Sequence, residues 1–271
     1  MNKFKMICLD IDGTLLNSEH EISQKTKEVI GIATNEKQIP VILVSARMPK
    51  GIVYLQKELN IKQPIICYSG ALVMDEKASI LSNCGIEISD VRLVYKFVKE
   101  IGVHISLYKD DEWYVEEKDK WAKQESEITN ISPNIVNMND LFNVWEKDCV
   151  GPNKILCMGE HNEIKLLDAL IKSFHSNNLN IYPSKPTYLE IMPNSVSKTS
   201  AIELLLEKFN IKKEETIAIG DNFNDIDMIE FAGLGIAMGN SPDAVKKYAD
   251  EITFTNDEDG VAEAIKKYIL G

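Results

Sequence analysis

The stretch from Met6 to Thr14 reads Met-Ile-Cys-Leu-Asp-Ile-Asp-Gly-Thr, and it predicts a buried strand that ends in two carboxylates. The apolar residues follow one another without alternation, which indicates a strand covered on both faces, as in a parallel sheet. Asp10 and Asp12 are two residues apart, so in an extended chain their side chains point the same way. Gly13 supplies backbone that can turn sharply out of the strand.

Two further apolar runs also end in polar groups. Ile39–Val44 leads into Ser45, and Thr216–Ile219 leads into Gly220 and Asp221. Segments with helical periodicity lie between the runs, so the order is strand, helix, strand, helix, which is typical of a parallel α/β sheet. In open sheets of this kind, ligands bind beyond the carboxyl ends of the strands. The three strand ends are therefore predicted to form one site.

The middle of the chain has a different pattern. Apolar and polar residues alternate around Asp110-Asp111 in the manner of an antiparallel hairpin. We therefore predict an inserted α+β domain over residues 84–188, between core segments 1–83 and 189–271. Its predicted elements are the strands His104–Tyr108, Glu112–Glu117 and Lys154–Met158, a helix over residues 162–176, and a hairpin that turns at Pro183–Thr187.

The acidic clusters each have a functional and a purely structural interpretation. Asp10 and Asp12 fit a shared metal or phosphoryl group, but a solvated strand end before an Asp-Gly turn has the same sequence. In the segment 220–225, Gly-Asp-Asn-Phe-Asn-Asp, a helix N-terminus would account for one or two of the polar residues. Carboxylate oxygens of this kind suit Mg²⁺. The four histidines have no metal-ligand spacing and are predicted to be surface or packed residues: His20, His104, His161 and His175.

A bound phosphate needs a cation and hydrogen-bond donors beside the carboxylates. Ser45 follows the second strand, where its hydroxyl and the amide N–H of Ala46 are candidate donors. Lys198 begins the helix that follows the insertion. A lysine at the positive end of a helix is unfavourable unless an anion is present, which makes it a candidate phosphate-binding residue, although a solvated surface charge is the alternative.

Taken together, these residues resemble the four ordered motifs of the haloacid dehalogenase superfamily. The motifs are Asp10-x-Asp12-Gly13-Thr14, then Ser45, then Lys198, then Gly220-Asp221-x-x-Asn224-Asp225. The long insertion and the context of Lys198 resemble the Cof-type branch, whose larger α/β cap lies over the active site. Ser45-Ala46-Arg47 stands where that branch usually has Thr-Gly-Arg, and phosphate binding is expected to survive this change. Ser69-Gly70 stands where Asn-Gly is frequent, near the substrate entrance, and this change is expected to alter substrate choice or weaken activity.

The resemblance implies a Rossmann-like parallel sheet core with an inserted α+β cap, and a Mg²⁺-dependent phosphatase that hydrolyses small phosphomonoesters such as sugar phosphates. Asp10 would be the nucleophile and carry the phosphoryl group, and Asp12 the general acid and base. By the same resemblance, the Asp12 backbone carbonyl would join the Asp10 and Asp221 carboxylates around Mg²⁺. Asn224 would orient phosphate or a metal-bound water, and Asp225 would fix Lys198 or the metal.

Two other functions remain open at this point. A sugar phosphomutase shares the aspartyl-phosphate step and transfers the group to a sugar instead of water. A regulatory protein that binds a phosphorylated metabolite with little turnover is the second alternative. The presence of both Asp10 and Asp12 argues against it, because a sensor needs no paired nucleophile and acid.

Composition limits the partners of this 271-residue chain. A formal charge of −12 disfavours broad binding to nucleic acid, while a small phosphorylated metabolite is compatible with a local cation. No stretch approaches the roughly 18 apolar residues of a membrane span. The five cysteines are scattered and odd in number, which argues against a disulfide framework and favours the reducing cytoplasm. The sequence leaves the oligomeric state open.

Overall fold

The computed structural model describes residues 3–174 and 178–271, which divide into two compact units. The core unit is formed by the chain up to Leu81 and from Ser197 onward, and the inserted unit is Ser82–Val196.

In chain order the described strands are β1 Met6–Asp10, β2 Val41–Val44, β3 Ile65–Cys67, β4 Leu72–Met74, β5 Ile80–Asn83, β6 His104–Lys109, β7 Glu112–Val115, β8 Asn134–Ile135, β9 Lys154–Met158, β10 Leu179–Lys185, β11 Tyr188–Pro193, β12 Thr216–Gly220, β13 Leu234–Ala237 and β14 Glu251–Ile252. The described α-helices are α1 Gln24–Gly31, α2 Lys50–Glu58, α3 Ile88–Ile101, α4 Lys120–Thr129, α5 Met138–Lys147, α6 His161–Ser173, α7 Lys198–Phe209, α8 Ile226–Phe231, α9 Asp243–Lys246 and α10 Gly260–Ile265.

The core unit is built on an eight-stranded sheet with the order β14-β13-β12-β1-β2-β3-β4-β5. The pairs from β14 to β3 are parallel, and β4 runs antiparallel to β3. Strand β1 lies between β12 and β2, and all five of its residues are buried. The three strands that end in polar residues are therefore neighbours, and the predicted parallel α/β core is confirmed.

Helix α7 packs its apolar side chains onto this sheet. Ile202, Leu205 and Leu206 lie in one buried cluster with Cys8 of β1 and Ile42 of β2. The helix begins at Lys198, after Ser197, whose side chain accepts a hydrogen bond from the backbone N–H of Ser200 at 3.1 Å. This cap satisfies a backbone donor at the start of the helix and fixes the position at which Lys198 leaves it.

The inserted unit has its own sheet, with the order β10-β11-β9-β6-β7-β8. The β6–β7 hairpin is antiparallel, as predicted, and β9 spans the predicted residues. Helices α3, α5 and α6 cover one face through a buried apolar cluster that includes Val94, Phe142 and Leu167. A separate core of this kind is what makes the insertion an independent α+β unit.

Several boundaries differ from the sequence prediction. The inserted unit does not end at residue 188, because Tyr188–Pro193 is β11, which pairs with both β10 and β9. The same hairpin extends β10 to Lys185 through a bulge, so its turn is shorter than predicted. The run Glu251–Thr255 also predicts a strand, but β14 ends at Ile252, opposite Ala237, the last residue of β13. Helix α6 ends at Ser173, and His175 lies outside the described residues.

None of the helices in residues 3–174 and 178–271 is long and apolar enough to cross a bilayer.

Candidate active site

The carboxyl ends of β12, β1 and β2 bring together residues that are far apart in sequence. Asp10 is the last residue of β1, Ser45 follows β2, and Asp221 follows β12. Asp10 pairs in register with Val44, the residue before Ser45. The predicted meeting of these strand ends is a direct result of the parallel order β12-β1-β2.

Lys198 lies between two carboxylates at this edge of the sheet. Its Nζ donates to Oδ1 of Asp10 at 2.5 Å and to Oδ1 of Asp225 at 2.6 Å. All three residues are buried, with 3% of Lys198, 6% of Asp10 and none of Asp225 exposed. Burial alone would lower the pKa of Lys198, but the charges of Asp10 and Asp225 outweigh it and raise that pKa. The lysine is therefore a fixed ammonium ion inside the site.

Asp225 organises the loop that follows β12. Its Oδ2 accepts hydrogen bonds from the backbone N–H groups of Asp221 and Asn222, each at 3.0 Å, while its Oδ1 accepts from Lys198. Both carboxylate oxygens are therefore occupied by protein donors. Asp225 thereby joins Lys198 to the loop after β12.

Asp221 lies against the turn that follows β1. Its Oδ1 accepts a hydrogen bond from Thr14 Oγ1 at 2.8 Å. Gly13 has φ +84°, and a Cβ atom on it would lie 2.5 Å from Asp221 Oδ2, so only glycine fits there. Burial, followed by the charge of Asp225, raises the pKa of Asp221 to about 7. Thr14 was part of the motif quoted from the sequence, but its contact with Asp221 depends on the fold.

The carboxylates form a cluster that fits a divalent cation. Asp10, Asp221 and Asp225 each offer an oxygen within 4.8 Å of the others. Burial and the charge of Asp225 raise the pKa of Asp10 well above its usual value, although Lys198 opposes the shift. Three carboxylates beside one ammonium leave negative charge uncompensated in a buried place, which costs free energy unless a cation or proton is bound. A hard cation with oxygen ligands suits this donor set.

The Asp12 carboxylate is held by an arginine, Arg47, for which the sequence analysis predicted no role. Arg47 donates from Nε to Asp12 Oδ2 at 2.9 Å and from Nη2 to Oδ1 at 2.6 Å. Partial desolvation alone would raise the pKa of Asp12, but the hydrogen bonds and charge of Arg47 lower it below its usual value. Arg47 Nη1 also donates to the hydroxyl of Tyr54 at 3.1 Å. Through Arg47, the Asp12 carboxylate is connected to Tyr54 of helix α2.

The segment after β2 presents a hydroxyl. Ser45 is buried, and its Oγ accepts a hydrogen bond from the backbone N–H of Arg47 at 3.2 Å, which leaves the hydroxyl hydrogen to be donated. Ala46, between them, is partly exposed. Asn224 lies in the short turn Phe223–Asp225 and is exposed, and the structure brings it into none of the hydrogen bonds described above.

The Ser69–Gly70 turn lies against two elements of the site. Ser69 has φ 52° and donates its backbone N–H to the carbonyl of Ser45 at 2.9 Å. A Cβ atom on Gly70 would lie 2.2 Å from the carbonyl oxygen of Ser197, the residue before Lys198. The turn is thereby placed between the end of β2 and the start of α7.

Two large aromatic residues and a histidine of the inserted unit are packed in its interior. Trp113 is 2% exposed and donates its Nε1–H to Ser106 Oγ at 2.9 Å. Tyr188 is 5% exposed, and its hydroxyl accepts from Gln124 at 2.9 Å. His104 is also buried, with Nδ1 3.0 Å from Asp119 Oδ2. Core packing, which the sequence favours over a pocket-lining role for Trp113 and Tyr188, describes both residues.

Fold and site together define a Rossmann-like α/β protein with a carboxylate–lysine cluster at its strand ends. The chain matches the haloacid dehalogenase-like hydrolase family over residues 7–265. It is 35% identical over 263 residues to a Haemophilus influenzae protein named "Putative phosphatase", with 96% of each chain covered. A 5-amino-6-(5-phospho-D-ribitylamino)uracil phosphatase of Bacillus subtilis is 29% identical, with 98% of this chain and 96% of that one covered.

Among solved structures, a haloacid dehalogenase-like hydrolase from Bacteroides thetaiotaomicron superposes with a TM-score of 0.87. It is 32% identical, and the match covers 97% of this chain and 99% of that one. The chain belongs to the haloacid dehalogenase-like hydrolase family. The resemblance stated from the four motifs is confirmed.

Proposed function

We propose that this protein is a Mg²⁺-dependent phosphatase that hydrolyses phosphomonoesters of small metabolites, with Asp10 as the nucleophile. The observation that carries the proposal is the placement of Lys198 between Asp10 and Asp225, beside Asp221. One fixed ammonium and a group of carboxylates form a site for a phosphate together with a cation. Family membership and the phosphatase names of relatives that cover nearly the whole chain support the same function.

The reaction has two steps. In the first, an Asp10 oxygen forms a bond to phosphorus while the bond from phosphorus to the ester oxygen breaks, and Asp12 gives its proton to that oxygen. In the second, Asp12 takes a proton from water as the water oxygen attacks the aspartyl phosphate. Inorganic phosphate leaves, Asp10 is regenerated, and Asp12 is again protonated.

The Asp12–Arg47 contact affects which protonation state of Asp12 is favoured during this cycle. Arg47 favours the charged form of Asp12, which is the form that accepts a proton in the second step. The first step needs the protonated form, which the same contact opposes. Substrate binding therefore has to draw Arg47 and Asp12 apart before the ester bond breaks.

Other side chains hold the phosphoryl group and its counterion. Lys198 contacts the nucleophile at 2.5 Å and would contact the phosphoryl oxygens that approach it, while the Ser45 hydroxyl and the Ala46 amide would donate to others. Asn224 would orient the phosphate after a movement of its exposed side chain.

The metal would be held by the carboxylates of Asp10 and Asp221 and by the backbone carbonyl of Asp12. Asp225 supports Lys198 and the Asp221 loop from behind. When bound, Mg²⁺ offsets the repulsion between the nucleophile and a phosphate dianion and stabilises charge on the transferring oxygens.

The inserted unit would act as the cap that contacts the leaving group and excludes water. One Bacillus subtilis relative of this length is named a 5-amino-6-(5-phospho-D-ribitylamino)uracil phosphatase, and that name describes a phosphorylated ribityl chain. A sugar phosphate or a similar polyol phosphate is therefore the substrate class that we propose.

The test is hydrolysis of a chromogenic phosphate ester by the variant Asp10→Asn. We expect no turnover above background, while thermal denaturation still shows a folded protein. Asp227→Asn is the matched control, because Asp227 is exposed on α8. Near-normal turnover by Asp10→Asn would show that another residue is the nucleophile, and failure of the unmodified protein to hydrolyse any phosphate ester with Mg²⁺ would overturn the function.

A further inference from the structure

Two asparagines near the C-terminus are hydrogen-bonded to the loop that follows the nucleophile strand. Asn240 Nδ2 donates to the carbonyl oxygen of Gly13 at 2.8 Å. Asn256 Nδ2 donates to the carbonyl oxygen of Leu16 at 2.9 Å. The backbone N–H of Asn256 donates to Asn240 Oδ1 at 3.0 Å, so the two residues form one bridge. We call this pair the asparagine clasp.

The clasp has a defined place in the fold. Asn240 comes shortly after β13, the strand next to β12, so it lies at the same edge of the sheet as Asp221. The backbone N–H of Gly239 donates to the carbonyl oxygen of Phe254 at 2.9 Å, and this hydrogen bond joins the segment that contains Asn240 to the segment that contains Asn256. The carboxyl end of β13 therefore lies at the same edge of the sheet as the carboxyl ends of β12, β1 and β2, where ligands bind in sheets of this kind.

The carbonyl that Asn240 holds belongs to the residue between Asp12 and Thr14. Gly13 is pressed against the Asp221 carboxylate, and Thr14 donates to that carboxylate at 2.8 Å. Rotation of the Gly13 peptide would move Thr14 away from Asp221 and would tilt the adjoining Asp12 backbone. Two hydrogen bonds within the turn are long, from Thr14 N–H to Ile11 O at 3.4 Å and from Leu15 N–H to Asp10 O at 3.3 Å, whereas Leu16 N–H donates to Ile11 O at 2.9 Å. The clasp thus supplies a short contact where the turn itself has a weak one.

The clasp contributes little to stability, because Asn240 is exposed and water would replace its hydrogen bonds at small net cost. Its orientation is nevertheless fixed, since the acceptor Oδ1 is bonded to Asn256 and the donor Nδ2 faces Gly13. A polar side chain that is oriented at both ends and fixes backbone beside two catalytic groups acts on geometry more than on folding.

We propose that Asn240 is a positioning residue for the phosphatase reaction: its carboxamide, oriented by Asn256, sets the backbone of residues 12–14 so that Asp12 and Asp221 are correctly placed. The inference rests on the proposed function. Asn240→Asp is nearly isosteric and keeps the acceptor, but it places a carboxylate oxygen against the Gly13 carbonyl, and the repulsion displaces the turn.

The experiment compares Asn240→Asp with the unmodified protein on an aryl phosphate and an alkyl phosphate. Displacement of the acid costs more when the leaving group is poor, so we expect kcat to fall by about 100-fold for the alkyl ester and by about tenfold at most for the aryl ester. KM should change little, and the melting temperature should stay within a few degrees. Asn35→Asp adds the same charge before β2, at the other end of the sheet, and should leave both rates unchanged.

Asn240→Ala removes the donor without adding charge. Its kcat should also fall more for the alkyl ester than for the aryl ester, but by a smaller factor than in Asn240→Asp. Asn256→Ala removes only the bond to Leu16 and should have the smallest effect. Equal losses on both esters together with a large fall in melting temperature would show a structural role and overturn the proposal, as would unchanged kcat in Asn240→Asp. If the unmodified protein hydrolyses neither ester, the proposed function itself has failed.

Discussion

The Nζ atom of Lys198 lies 2.5 Å from Oδ1 of Asp10, across 188 positions of sequence. The ammonium also holds Asp225, so one cation neutralises part of a buried acidic cluster. Ser197 caps the helix that presents the lysine, and β1 presents the aspartate. The contact therefore depends on both chain segments of the core unit folding against one another.

Replacement of this lysine should cost stability as well as activity. Lys198→Met leaves Asp10 and Asp225 without their cation in a buried place, and we expect the free energy of unfolding to fall by about 3 kcal/mol. Urea denaturation measures the change, with Lys208→Met, exposed on the same helix, as the control. The double variant Asp10→Asn/Lys198→Met should recover part of the lost free energy of unfolding. If it recovers none, the uncompensated charge of Asp10 is not the cause of the loss.

A methyl group on Gly13 should damage the site directly. Gly13→Ala places Cβ 2.5 Å from Asp221 Oδ2 at a φ that alanine rarely adopts, so the carboxylate must move. We expect the Mg²⁺ concentration for half-maximal activity to rise by about tenfold, as metal affinity follows ligand placement. Gly31→Ala is the matched control, because Gly31 lies in α1 with open space around it and should be slightly stabilised. An unchanged Mg²⁺ requirement in Gly13→Ala would show that Asp221 is not a metal ligand.

The role of Asp12 is tested by the leaving group. Asp12→Ala should lower kcat for alkyl phosphates by about 10²–10⁴-fold, because the departing alkoxide then leaves without a proton. Aryl phosphates, whose leaving groups are stable anions, should lose much less. The ratio of the two rates is the measurement, and equal losses would remove the acid role from Asp12.

The inserted unit should respond to pH through His104. Burial lowers the pKa of His104 below its usual value, although Asp119 opposes the shift. The unfolded chain then binds a proton before the folded one does, so the stability present above the unfolded pKa of about 6.5 is lost as pH falls toward the folded pKa. In His104→Gln, the free energy of unfolding should fall less on acidification.

Tryptophan fluorescence reports this unfolding selectively, because all three tryptophans of the chain lie within the inserted unit. His161→Gln, on the exposed face of α6, serves as the control and should retain the pH dependence of the unmodified protein. Identical pH dependence in His104→Gln and the unmodified protein would show that another group is responsible.

The sequence predicted those parts of the site that strand ends determine. Continuous apolar runs before Asp10, Ser45 and Asp221 indicated buried parallel strands, and parallel strands align their carboxyl ends. Lys198 could be singled out because its charge is unfavourable at a helix N-terminus without an anion. These inferences need only local pattern and one rule of topology.

Pairings between distant surface residues were missed because no local pattern encodes them. Arg47 is one of many cations, and only the fold shows that its guanidinium faces Asp12. Asn240 has no local feature that marks it, because its partner Gly13 is 227 positions away. The predicted boundary at residue 188 was wrong for a related reason. Strand β11 pairs with β9, and the alternation of apolar and polar residues along a strand does not show which strand is its partner.

The most direct test of the central claim is to find the covalent intermediate. The protein is mixed with a radiolabelled phosphate ester and Mg²⁺, quenched in acid within one turnover, and digested for mass spectrometry. We predict that the label is on the peptide containing Asp10, and that Asp10→Asn carries none. Label on a different residue, or full turnover with no labelled protein at any quench time, would contradict the assignment of Asp10 as the nucleophile.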